Sequence, residues 1–353
     1  MSSAAGSGRQ RDVDEIVMYE RAAEVGRLLL GDLKGPMQWI YYDQYLGKPR
    51  KELQARKHSI RAYLGTEIGK FCRRNFEDVK PGDLARLYEP LYARGSVWRL
   101  PLSEFIEELG VPKEGVLRGA PLHATVSISY LWGLQTEYPE MHLVRDLALS
   151  LNAVIAAERE LEEYERISKS EAKLKQKELA ALQGHGAFNK RMCILSCFNL
   201  VEAYVNGLAW EYVHTHDISL VSKGDQEALT EKDKNGKDRL VNIVDKLIKI
   251  PRIVAHQQYG PLDRMREPLK TFIETVKPYR DSIVHASPFS APENFGDYDK
   301  LSKLYELSLD TVKKAVSNTL AIISQIHQFT GADNDLPEWV YPKNDDGSFD
   351  MAS

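Results

Sequence analysis

The stretch AFNKRMCILSCFNLVEAYVNGLAWEYV, Ala187–Val213, decides the fold class. Its apolar residues Ile194, Phe198, Val201, Val205, Leu208 and Tyr212 recur at steps of four and three, the seam of a helix that buries one face. Cys193 and Cys197 fall on a single helical face as small apolar fillers. A second line, Asn199, Glu202 and Asn206, runs beside the seam at the same spacing. Polar groups flanking a buried seam cost free energy unless they are hydrogen-bonded. These three therefore either cap neighbouring backbone or a structural water, or line a polar site.

More helices flank this one. Upstream, Leu147, Leu151, Val154 and Leu161 recur at helical spacing from Arg145 onward. Glu162–Arg166, Glu165–Lys169 and Glu171–Lys175 are i,i+4 pairs in the favourable orientation. The pattern predicts a charged helix over 141–183, a connector or dimer arm, ending near Gly184. Downstream, Lys223–Lys237 reads as a polar loop. Leu240, Ile243, Val244, Leu247 and Ile248 then mark an amphipathic helix stopped before Pro251. Leu269, Phe272, Ile273 and Val276 begin another helix, which runs through Pro278 into YRDSIVHASP, Tyr279–Pro288. A loop with Pro288, Pro292 and Gly296 leads to a last helix, about Leu307–Phe329, with Leu309, Val312, Val316, Ile323 and Ile326 facing inward. The acidic tail, 331–353, docks at most Trp339 and Tyr341.

The first 140 residues read as a separate helix-rich region, 13–140, behind a disordered lead-in, 1–12. Ile16, Val17, Leu28 and Leu29 predict a helix closing at Gly31. Lys48–Arg74 holds nine Lys/Arg against Glu52 and Glu67, with Tyr63 and Phe71 interleaved. It is either a solvated face balanced by acidic segments elsewhere or a nucleic-acid surface built on Arg56, Lys57, Arg61, Lys70, Arg73 and Arg74. Leu102–Gly119 has the outline of a helix-turn-helix corner, with Ser103 capping a short first helix, Gly110 at the turn and Val116 and Leu117 packing a second helix. Ile106 stands where a small residue is wanted, and Pro112 and Gly115 weaken that second helix. Thr125–Tyr130 alternates with a period of two, as a lone strand or a wing would.

Composition bounds the chemistry. A chain of 353 residues with 43% hydrophobic and 28% charged residues holds a packed core, and a net charge of -4 excludes a uniformly basic coat. Cys72, Cys193 and Cys197 form no disulfide framework, which points to a reducing, cytoplasmic setting. No run approaches about 18 uninterrupted apolar residues, so no membrane span is expected. His214-x-His216 lacks companions at a metal-ligand spacing, His256 and His327 stand alone, and no P-loop, dinucleotide or serine-hydrolase fingerprint is present. No metal and no cofactor are expected.

Arg280, Asp281 and His285 can be read as chemistry or as a helix surface. Cleavage of RNA by its own 2′-hydroxyl needs a proton acceptor near neutral pH, which histidine supplies with an ordinary pKa of about 6.5. It also needs a permanent cation that forks onto two phosphate oxygens, which favours arginine over lysine. Five helical steps leave Arg280 and His285 roughly 140° apart on an ideal helix. Either the helix is distorted near Pro278, or copies from a second subunit complete the site. Asp281, four residues before His285, is placed to orient the imidazole.

A helix reading FNLVEAYVNGLA (Phe198–Ala209), a middle helix, a helix ending in RDSIVH (Arg280–His285), a loop and a final apolar helix together resemble the HEPN domain family, over 184–330. The family signature is an arginine, a following polar residue and a histidine, with four to six residues between arginine and histidine; Arg280, Asp281 and His285 match it. The resemblance implies an all-α bundle and metal-independent RNA cleavage at a site formed where two bundles pair. Glu202 or Asn206, with Asn199 nearby, would then support the Arg280/His285 pair. It further implies a homodimeric endoribonuclease of toxin or anti-phage defence type, with an antitoxin or defence-system partner. The alternatives are a regulator that binds nucleic acid through the basic N-terminal segment and a HEPN scaffold that binds RNA or dimerises without cleaving.

Overall fold

A computed structural model describes residues 3–76, 79–95, 97–110, 116–117, 120–166, 169–232, 235–285, 303 and 305–351. The chain is mainly α-helical, with one small sheet, and divides into two compact units, Met1–Tyr138 and Pro139–Ser353.

In the first unit, α1 (Ser3–Leu30) ends at Gly31, which takes the left-handed conformation (φ +72°) that the helix stop requires. Ile16, Val17, Leu28 and Leu29 are buried, as their spacing predicts. The helix begins well inside the expected lead-in, and Asp12 is already buried against Arg50 and Gln54. Short helices follow: α2 (Asp43–Leu46), α3 (Arg50–Tyr63), a π turn (Leu64–Ile68), α4 (Gly69–Asn75), α5 (Pro81–Arg86) and α6 (Tyr88–Arg94). Strand β1 (Val97–Pro101) leads into α7 (Leu102–Leu109), and β2 (Thr125–Ser129) and β3 (Gly133–Glu137) complete an antiparallel sheet of order β1-β2-β3. The alternation over Thr125–Tyr130 is thus the central strand, with Val126 and Ile128 buried.

The helix-turn-helix expectation is corrected in part. A short helix, α7, and the left-handed Gly110 are as read, with Ile106 buried in the core, but the helix begins at Leu102 behind Pro101, so Ser103 lies inside it and does not cap it. Pro112, Gly115 and Gly119 lie outside the described residues. Val116 and Leu117 do not pack a second helix. Val116 makes an isolated bridge to Phe76, and the Leu117 N–H donates to the Asn75 carbonyl (2.6 Å), with Leu117 at φ +51°. Extended pairing satisfies these backbone groups in place of a helical ladder.

The second unit is a helical bundle. Its helices are α8 (Pro139–Glu165), α9 (Lys169–Leu174), α10 (Gln176–Thr215), α11 (Lys223–Thr230) and α12 (Ile243–Val254). Next come α13 (Leu269–Thr271), a π turn (Phe272–Val276), α14 (Lys277–Val284) and α15 (Leu309–Phe329). The seam on α10 is buried at Ile194, Phe198, Val201, Val205 and Tyr212, while Leu208 is half-buried. Within 141–183, α8 packs its Leu147 and Leu151 into the bundle core, whereas most described side chains from Arg159 onward are exposed; the expected single helix ending near Gly184 is instead α8, α9 and the start of α10, which runs through Gly184. By length and composition α10 passes for a membrane span, but most of its apolar window is buried in this core.

Two loop boundaries also change. Ser222 accepts from the Asp225 N–H and caps α11 inside the expected loop, because Ala228 and Leu229 have a core face to fill. Helix α12 passes through Pro251 instead of stopping before it. Burial of Ile250, Pro251 and Ile253 outweighs the roughly 3 kcal/mol that an interior proline costs. Helix α15 starts where Ser308 accepts from the Thr311 N–H, and Val312, Val316, Ile323 and Ile326 are buried. The tail docks more extensively than Trp339 and Tyr341 alone. Phe349 is buried, and the Asn152 side-chain amide pairs with both its backbone groups (2.9 and 2.8 Å).

Candidate active site

The Arg280 motif occupies the last turn and the end of α14. The π turn at Phe272–Val276 stands directly upstream of Pro278, before both Arg280 and His285, so it does not alter the angle between them; that angle changes only where His285 leaves helical geometry. The wider loop of the π turn accommodates a proline that has no N–H to give and whose ring crowds the preceding turn.

Arg280 is half-buried. Its guanidinium carbon lies 4.1 Å from the centroid of the Phe198 ring, and that ring is stacked on Phe272 at 5.8 Å. A cation over an aromatic face is held by the ring quadrupole. The Nη1 group donates to Asp281 Oδ1 (2.8 Å), while Lys277 Nζ donates to Oδ2 of the same carboxylate (2.7 Å). Burial pushes the Asp281 carboxyl up, but the hydrogen bonds from Lys277 and Arg280 outweigh it and hold the group below its ordinary value. Two cations thus share one carboxylate, so these three residues together carry one positive charge. The other guanidinium N–H groups have no partner among the described residues, so they are free to fork onto an anion.

His285 stands one step past the helix. Its N–H still donates to the Asp281 carbonyl (2.9 Å), but its backbone has left helical geometry (φ -116°, ψ 46°) and its side chain is exposed. The expected Asp281–His285 side-chain contact is absent among the described residues, because the carboxylate is drawn to the nearer cations Lys277 and Arg280. Lys277 was missed in the sequence reading, although it lies one turn before Asp281.

The three polar residues of α10 separate. Asn199 is exposed. Glu202 is half-buried, one turn beyond Phe198, with no hydrogen bond among the described residues. Asn206 belongs to a different cluster: its Oδ1 accepts from Lys246 Nζ (3.0 Å), which also pairs with Glu231 Oε1 (2.7 Å).

The basic segment of the first unit is largely committed internally. Arg56 bonds both oxygens of Glu20 (2.5 and 3.1 Å), Lys57 pairs with Glu15, and Arg61 lies over the Tyr19 ring. Lys70 reaches Glu67 at 3.5 Å. Arg73 and Arg74 are exposed, without an ion pair among the described residues. The balanced-face reading therefore accounts for most of the run.

Among the described residues no three His, Cys, Asp or Glu side chains gather as a metal site. His214 stacks on Trp210, and His216 stacks on Tyr212 near His256. His327 meets Tyr204 Oη at 3.3 Å, so neither it nor His256 stands alone. Burial raises the thiols of Cys72 and Cys197, to about 11 and about 12, which keeps them protonated and unreactive. No protein-family model, no curated protein and no solved structure matches the chain.

Proposed function

We propose that the second unit binds RNA phosphate through Arg280 and cleaves the chain with His285, as a HEPN-type endoribonuclease that needs no metal. The observation that carries this reading is the guanidinium laid on Phe198. It is fixed in place, keeps N–H groups free, and lies on the helix whose end carries an exposed imidazole. The arginine would hold the scissile phosphate and stabilise charge on its oxygens, while the histidine would take the 2′-hydroxyl proton. With Asp281 committed to Lys277 and Arg280, the imidazole takes its orientation from the RNA or from a second subunit, consistent with a homodimeric site.

The test is RNA incubated with the protein in EDTA, beside Arg280→Ala and His285→Ala. Loss of general-base catalysis predicts a fall of about 10²–10⁴-fold for His285→Ala. Cleavage that needs divalent metal, or that survives both changes, refutes the reading. A second reading, RNA binding without cleavage, is favoured by the engaged Asp281 carboxylate, which leaves the imidazole without its orienting partner. In that case RNA is retained in an Arg280-dependent manner and no products form.

A further inference from the structure

A cavity of about 410 Å³ opens between α10, α11 and α12, in the size range of small-molecule sites. Val213, Leu229 and Ile250 supply aliphatic wall. Trp210 and His214 supply an aromatic wall, their rings stacked at 3.7 Å and 20°. His214 Nδ1 donates to the Trp210 carbonyl (2.8 Å), which locks the imidazole against the indole.

The polar side of the cavity is built by a buried ammonium that does not itself line it. Lys246 is 2% exposed and donates to both Asn206 Oδ1 and Glu231 Oε1. This contact decides the amide orientation of Asn206: its oxygen must face the ammonium, so its NH₂ group faces away. Neither that NH₂ group nor Glu231 Oε2 has a partner among the described residues. Glu231 is held with φ +52° and ψ 32°, a left-handed conformation that side-chain-bearing residues rarely adopt, and its N–H closes α11 on the Glu227 carbonyl (3.1 Å). Asn206 and Glu231 both line the cavity, so a donor and an acceptor stand side by side, braced from behind by one charge.

We propose that this cavity binds a nucleobase. An aromatic wall offers the π-face on which a base stacks. An adjacent donor and acceptor match the edge of a base, where a ring or exocyclic N–H sits next to a carbonyl or ring nitrogen. The Asn206 NH₂ group donates to the base acceptor, and Glu231 Oε2 accepts from the base N–H. The site stands apart from the Arg280 motif and does not depend on RNA cleavage.

The test is quenching of tryptophan fluorescence in the full chain by uridine and guanosine, beside 3-methyluridine and 1-methylguanosine, in which a methyl group replaces the edge N–H. Ribose 5-phosphate serves as the base-free probe. The expected result is saturable binding of both nucleosides, at least tenfold weaker for each methylated form and absent for ribose 5-phosphate. Isothermal calorimetry on Trp210→Ala, a half-exposed position whose fold is checked by circular dichroism, should show at least tenfold weaker binding, whereas Arg280→Ala should bind as the parent does. In the Arg280→Ala chain, a uridine-containing trinucleotide binding at least tenfold tighter than uridine identifies RNA as the source of the base; equal affinity identifies a free nucleoside or nucleotide. Equal affinity for methylated and unmethylated forms, no binding of either nucleoside, or unchanged binding in Trp210→Ala overturns the proposal.

Discussion

Replacing Glu231 with alanine should destabilise the second unit more than replacing its partner Lys246 with methionine, although each change breaks the same ion pair. The asymmetry follows from burial. The Lys246 side chain is 3% exposed and the Glu231 side chain 42% exposed. Removing the carboxylate strands an ammonium in the interior with Asn206 Oδ1 as its one remaining hydrogen-bond partner among the described residues, and losing one partner of a buried pair costs about 3–5 kcal/mol. Water can reach part of the space Glu231 leaves, so the lower end, about 3 kcal/mol, is expected. Removing the ammonium leaves a carboxylate that solvent already reaches. The hydrogen bond to Asn206 is lost, but so is the desolvation cost of a buried charge, and methionine keeps the aliphatic packing. The net cost should be about 1 kcal/mol. At roughly 2–4 °C per kcal/mol for a unit of this size, the two variants should melt about 4–8 °C apart. Scanning calorimetry and urea titration of the full chain both measure this, and the double variant should resemble Lys246→Met. A Lys246→Met chain as unstable as Glu231→Ala, or more so, would refute the reasoning.

Three further outcomes are expected. Asp281 is held below its ordinary pKa, so its contribution to stability is fully present above about pH 4 and is lost as pH falls through the lower folded value; the stability gap between the parent and Asp281→Asn should therefore narrow from pH 6 to pH 3 in denaturant titrations. Gly26→Ala drives a methyl group into Ile68 on the inner face of α1 and should cost about 1–3 kcal/mol, with Ile68→Val in the same chain recovering part of the loss. Phe349→Ala empties a buried ring position and should cost about 3 kcal/mol, read as faster limited proteolysis within the C-terminal segment.

The parts legible in the sequence were those governed by local periodicity. The α10 seam could be read because burial of one face repeats every three or four residues, and Gly31 could be read because the end of α1 needs a left-handed residue. What escaped was set by partners distant in the chain. The basic run at Lys48–Arg74 looks available until Glu15 and Glu20, about forty residues earlier, are found against Lys57 and Arg56. Asn206 was grouped with Glu202 by spacing alone, and only the position of Lys246 on α12 reassigns it. In the Arg280 motif the residues were found but their pairing was not. Sequence spacing offered His285 to Asp281, whereas the end of the helix turned the histidine outward and left the carboxylate to two cations.

Helix α10 carries Phe198, the bed of Arg280, and Asn206 and Trp210, two walls of the cavity, on one uninterrupted rod. Twelve residues at about 1.5 Å each set Phe198 and Trp210 about 18 Å apart along the axis, with a fixed angular phase of about 120°. The rod therefore works as a ruler between two chemistries. Deleting one residue between Phe198 and Asn206 would shorten it by only about 1.5 Å but rotate everything beyond by about 100°, turning the amide and the indole out of their cavity. Length changes within these few turns should be far less tolerated than any single substitution there.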